Sequence, residues 1–260
     1  MDPISDPSGE GLTKIVEGLK RAWRLDVDVE VEISEEPFVL GRTVHDGNVY
    51  RIYLSELEPY PLLHEFYHVL FEEKVMKRHI GSPCDFCAKI VIEMMNVLVD
   101  LGIERIIQRT GPGIFPAYFP TVKENLKRIG RCGVLPFDPT RTVAYNLYLD
   151  TAIRELYPEL RPHYDFWSRI DLSDEMRAGV ESALAIARDF VRDSPSTWRD
   201  ISGAAVDLSW PIFGADVMII ESREEFRIVC TTDHIEAKRK VSEMIDRLKA
   251  LSRDVSRAPG

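Results

Sequence analysis

Residues 64–68 read His64-Glu65-Phe66-Tyr67-His68, inside an apolar run that starts at Pro61 and continues through Phe71. Pro61 suits the first turn of a helix, where a missing backbone N–H costs nothing. On a helix, positions four apart share a face, so the imidazoles of His64 and His68 can reach one ion at ~2.0–2.1 Å. Glu65, one position after the first histidine, turns toward a water on that ion instead of the ion itself. Zinc lowers the pKa of such a water to ~7, and a carboxylate then takes its proton as the water attacks a carbonyl carbon. His64 and His68 are therefore expected as metal ligands, Zn2+ as the cofactor and Glu65 as general base. Six histidines and 23 glutamates in 260 residues generate this pattern by chance in roughly 1% of chains, so the alternative of two core histidines beside a surface glutamate carries little weight.

Working upstream, apolar residues from Leu12 to Trp23 repeat at helical spacing and predict a helix over 10–24. Leu25 to Ile33 alternates strictly between apolar and acidic residues, the pattern of a half-buried strand with Asp26, Asp28, Glu30 and Glu32 facing solvent. Two further strand-like runs, Phe38–Val44 and Asn48–Leu54, flank Asp46-Gly47, which predicts a tight hairpin.

The order helix, three strands and motif helix over residues 10–68, with the His-Glu-x-x-His string, resembles the zincin metallopeptidases. The resemblance covers roughly residues 10–108. It implies an α+β fold with a zincin-like catalytic subdomain over 1–110, and zinc-dependent hydrolysis of peptide bonds in a peptide or unfolded-protein substrate. It also implies an edge strand that pairs with extended substrate, either Asn48–Leu54 or its hairpin partner.

A catalytic zinc takes a third protein ligand and leaves one position for water. The His-x-x-Gly-x-x-His continuation of the metzincins is absent; His79 lies eleven residues on. A long apolar helix predicted over Asp85–Gln108 instead supplies Asn96, Asp100 and Glu104 at four-residue steps. Buried polar groups of this kind need partners, and a metal with its surrounding hydrogen bonds is a suitable one. The segment Asn96-Val97-Leu98-Val99-Asp100 is similar to a pattern in little-characterised metallopeptidases of microbes and phages. The gluzincin order of Glu then Asp is reversed here. Asp100 is the expected third ligand, with Glu104 or Asn96 bracing a ligand histidine. Glu104 stays an alternative ligand and Glu93 a more distant one. Tyr118, Tyr145, Tyr148, His163 and Tyr164 are candidate donors to a developing oxyanion.

Residues 111–260 read as a mainly helical region, with helices near 140–157, 173–193 and 234–253 and a strand pair near 215–230. The prolines and glycines of 111–121 predict an irregular loop, and a boundary could fall there or near 194–212. The net charge of −10 and pI near 5.2 argue against nucleic-acid binding. No leader and no bilayer-length apolar run is visible, which predicts a cytoplasmic protein without membrane contact. A single glutamine and four asparagines hint at a thermophile.

Cys84-Asp85-Phe86-Cys87 opens the long helix. A metal site there needs more ligands, and Cys132 and Cys230 stand far off in the chain, so structural thiols or a local disulfide are expected. His45, His79 and His234 are expected as solvated surface residues. Two readings compete with an active peptidase. One is a non-catalytic metal-binding module acting through a partner; the other is a self-inhibited enzyme whose tail or 111–121 loop covers the cleft.

Overall fold

The computed structural model describes residues 9–34, 41–56, 58–131, 138–164, 166–193, 197–231 and 234–257. Residues 1–8 and the start of the second expected strand, Phe38–Leu40, lie outside them. The chain is mixed α+β and divides into two compact units, Met1–Met76 and Lys77–Gly260. The long apolar helix expected over Asp85–Gln108 lies in the second of these units.

The first unit runs α1 (Gly9–Trp23), β1 (Asp28–Ile33), β2 (Gly41–Asp46), β3 (Val49–Leu54) and α2 (Pro59–Lys74). The strands form one sheet in the order β1-β3-β2, with β1 parallel and β2 antiparallel to β3. The substrate-pairing edge expected of Asn48–Leu54 is therefore unavailable. β3 is central because β1 occupies its other side, and of the hairpin pair β2 is the edge. The hairpin turns at Gly47-Asn48, one residue later than expected, with Asp46 paired to Val49. Gly47 takes φ +67°, a left-handed conformation open to glycine at no steric cost.

Alternation decides the burial. Asp28, Glu30 and Glu32 are exposed on β1, while Tyr50, Ile52 and Leu54 of β3 are buried. On the polar face Arg51 bridges Glu30 at 3.1 Å and Asp46 at 2.8 Å. The other face is covered by α2, whose Leu62, Phe66, Val69 and Leu70 are buried. The Tyr50 hydroxyl donates to Glu73 at 2.6 Å and tethers β3 to the C-terminal half of α2.

In the second unit a two-residue strand, β4 (Arg78–His79), precedes α3 (Asp85–Thr110). The sequence shows no strand there because β4 is only two residues long and is defined by its parallel partner, not by alternation. Then come α4 (Ile114–Arg131), α5 (Pro139–Glu155), two short 3-10 turns, α6 (Asp174–Asp193), α7 (Trp198–Phe213), β5 (Val217–Glu221), β6 (Glu225–Cys230) and α8 (Ile235–Arg257). The second sheet has the order β4-β6-β5.

At 26 residues, α3 is the pillar of this unit. Its Ile90, Val91, Met94, Leu98, Leu101, Ile103 and Ile107 are buried, and α4, α5, α6, α7 and β6 pack around it. Among the described residues no helix is long and apolar enough to cross a membrane.

Two expectations are corrected here. Residues 114–121 are the start of α4, not an irregular loop, because Pro116 falls in the first turn, where no intrahelical N–H is needed. The suspected boundary at 194–212 is largely α7. Its Thr197 caps the helix by accepting from the Asp200 N–H while Asp200 accepts from the Thr197 N–H, a reciprocal pair legible as Thr-x-x-Asp.

A close approach binds α6 to α7. A Cβ added at Gly179 would lie 2.3 Å from the carbonyl oxygen of Pro211. Because backbone cannot yield as a side-chain tip can, Gly179→Ala is expected to lower the unfolding free energy by about 1–3 kcal/mol, read from denaturant unfolding.

Candidate metal centre

α2 begins cleanly because Pro59 and Pro61 both lie in its first turn, with Glu58 extended at the cap. Nine of its residues are buried, and the half-buried minority includes both histidines of the motif. Helical spacing then brings the rings together. The Nε2 atoms of His64 and His68 are 3.2 Å apart, and the ring centroids lie 5.0 Å from each other at 67°. Two imidazole nitrogens held by one tetrahedral ion at ~2.0–2.1 Å must lie ~3.3 Å apart. The observed spacing matches that requirement. Tyr60, one turn earlier, sets its ring 5.7 Å from that of His64.

Glu65 points elsewhere and is buried, at 8% exposure. Its Oε2 accepts a hydrogen bond from the Thr43 hydroxyl at 2.9 Å, and the same hydroxyl lies 3.0 Å from the Glu65 backbone carbonyl. Its Oε1 rests over Gly41, where an added Cβ would approach to 2.8 Å, and to 2.6 Å from Cγ. Edge strand β2 thus shapes the seat of this carboxylate with a glycine and a threonine two residues apart on one strand face. Neither residue stood out in the sequence. Glycine at the start of a strand was the available signal, since it marks close approach.

The three candidate acids on α3 separate sharply. His64, His68 and Asp100 form one group of metal-competent donors, with ligand atoms all within 4.8 Å of one another. Two imidazoles and one carboxylate are a donor set suited to zinc with a position left open. Glu104 is outside that group. It is fully buried, with Oε1 accepting from Tyr148 at 3.0 Å and Oε2 from Tyr157 at 2.9 Å. Both of its oxygens are thereby engaged within the helical core. Asn96 is exposed, not buried as the stripe suggested. Glu93 hydrogen-bonds Asn96, and burial raises its pKa against the lowering effect of Arg141.

Of the candidate oxyanion donors, Tyr148 is committed to Glu104, and Tyr164 donates to the Asn146 side chain at 2.8 Å. Tyr118 is buried. The His163 side chain lies outside the described residues. Tyr145 differs: its phenol is held protonated well above the ordinary range, first by burial and then by the charges of Asp100 and Glu104. It is half-buried.

Of the remaining histidines, His45 is exposed as expected, while His79 and His234 are half-buried. His45 stacks on Tyr50 at 4.1 Å with Nδ1 3.1 Å from Glu72, and His79 lies 2.9 Å from the Ser82 hydroxyl. Cys230, expected to stand apart, is brought to Cys84 and Cys87, while Cys132 is outside the described residues. No family model, curated protein or solved structure matches the chain.

The Glu104 seat makes a prediction independent of any metal. Tyr148→Phe and Tyr157→Phe each withdraw a donor from a fully buried carboxylate. Each is expected to cost about 1.5–3 kcal/mol of stability, measured by urea unfolding, because hydrogen bonds to charged groups in a core fall in that range.

Proposed function

We propose that this chain is a zinc-dependent metallopeptidase, in the manner of the zincins, with His64, His68 and Asp100 holding the metal and Glu65 as general base. The observation that carries the proposal is the 3.2 Å separation of the two Nε2 atoms on α2. It equals the spacing that one tetrahedral ion imposes on two histidines. A zinc ion bound there supplies Lewis acidity, which eases deprotonation of a water and polarises a substrate carbonyl.

The chain's own residues account for the rest. His64 and His68 bind through Nε2 in the tautomer that leaves this nitrogen unprotonated. Thr43 holds Oε2 of Glu65 and Gly41 leaves room for Oε1, so the carboxylate that is to take a proton from water is fixed in advance. Fixing the base in advance avoids an entropic cost at the moment of reaction.

The sheet supports a reading of the substrate class. β2 is an edge strand among the described residues and carries both Gly41 and Thr43 beside the base. An extended peptide pairing with β2 would gain main-chain hydrogen bonds that do not depend on its sequence. Peptide or unfolded protein is therefore the proposed substrate, met in the cytoplasm.

Four variants test this. Glu65→Gln is expected to lower kcat on an unstructured peptide substrate by about 10²-fold or more while leaving bound zinc at its wild-type level. Equal turnover by wild type and Glu65→Gln removes Glu65 from the mechanism. Asp100→Ala is expected to lose one equivalent of zinc by metal analysis after dialysis, whereas Glu104→Gln retains it. Gly41→Ala pushes the Glu65 carboxylate off its seat, and at least a tenfold fall in kcat is expected with metal content unchanged.

A further inference from the structure

The second unit contains its own group of donors. The sulfurs of Cys84, Cys87 and Cys230 all lie within 4.8 Å of one another, and all three are free thiols. Cys84 is the N-cap of α3, Cys87 stands in its first turn, and Cys230 is the last residue of β6. Positions three apart at a helix start share a face, so the Cys-x-x-Cys spacing directs two sulfurs to one side.

Backbone contacts bring the third. The Ile80 N–H donates to the Phe226 carbonyl at 3.0 Å, and the Ile228 N–H donates to the Ser82 hydroxyl at 3.1 Å. The segment before α3 is thus fastened along β6 to within two residues of each end of the cluster. The sulfurs meet because their backbones are held, not through a chance side-chain rotamer.

A disulfide joins two thiols and leaves the third without a role. A tetrahedral ion uses all three, with sulfurs ~3.8 Å apart when each bond is ~2.3 Å, which requires a contraction of about 1 Å at most. Thiolates also favour the N-terminal end of a helix, where the macrodipole is positive. Cys87 is buried while Cys84 and Cys230 are half-buried, so an ion can enter and its fourth position can face solvent.

We propose that Cys84, Cys87 and Cys230 bind a thiophilic divalent cation of the zinc class, which clamps the start of α3 to the end of β6. Binding releases the three thiol protons to solvent and forms three metal–sulfur bonds, with no change of oxidation state. The clamp joins residues remote in sequence, and Cys-x-x-Cys with a distant third cysteine is a spacing seen in structural zinc sites. It stands apart from the histidine centre, shares no residue with it and is tested separately.

Full-length protein, reduced and stripped of metal, is titrated with Co2+ alone. A thiolate-to-cobalt charge-transfer band saturating at about one equivalent is expected. It is lost in Cys230→Ala and kept in His64→Ala/His68→Ala, so failure of either centre is read without reference to the other. Absence of the band in the wild type overturns the proposal, as does an undiminished band in Cys230→Ala. Should Cys230→Ala fail to fold, the wild-type chain decides: Zn2+ is expected to protect Cys84, Cys87 and Cys230 from alkylation, located by peptide mass spectrometry. Equal alkylation with and without Zn2+, or recovery of two of the three as a disulfide inert to metal, overturns it.

Discussion

Two imidazole nitrogens held 3.2 Å apart across one turn of α2 set the terms for everything proposed of this protein. A single N–H···N hydrogen bond between neutral rings also reaches this spacing, although it must compete with water for each ring. An ion changes the balance, since each nitrogen then contributes a lone pair to a charge worth far more than a neutral contact. The helix makes the arrangement inexpensive. It supplies the face, and burial of Leu62, Phe66, Val69 and Leu70 against the sheet keeps that face from rotating.

The carboxylate between those histidines is governed by the sheet. Thr43 and Gly41, two residues apart on one edge strand, respectively hold and make room for Glu65. A hydroxyl takes one oxygen, and the missing Cβ admits the other. The same strand therefore restrains Glu65 and, among the described residues, lies at the edge of its sheet. An edge of this kind is an aggregation liability in most proteins, and here Arg42 and the exposed His45 and Asp46 mark it.

In the second unit, α3 shows how one polar stripe divides into three environments. Asn96 is exposed, Asp100 half-buried and Glu104 fully buried between two tyrosine hydroxyls. Equal spacing along a helix implies a shared direction but not shared surroundings. α5 and the residue that follows its C-cap bring Tyr148 and Tyr157 to one end of the stripe only. Glu104 is thereby satisfied by neutral donors inside the core, while Asp100 keeps a more open position. Sequence periodicity weighed the two acids almost equally for this reason.

Local order was legible wherever a short period settles the matter. Strict alternation marked β1, the i and i+4 rule aligned His64 with His68, and apolar density marked α3. Prolines misled, since Pro116 is harmless in a first turn and Pro211 is carried inside α7 by its packing, yet each reads as a breaker in isolation. Strand order in the first sheet, the seat of Glu65, the choice between Asp100 and Glu104 and the arrival of Cys230 beside Cys84 and Cys87 all depend on residues distant in the chain. Those pairings are chosen by burial and by hydrogen bonds formed after collapse. A helical or strand period carries no information about which remote partner will meet it.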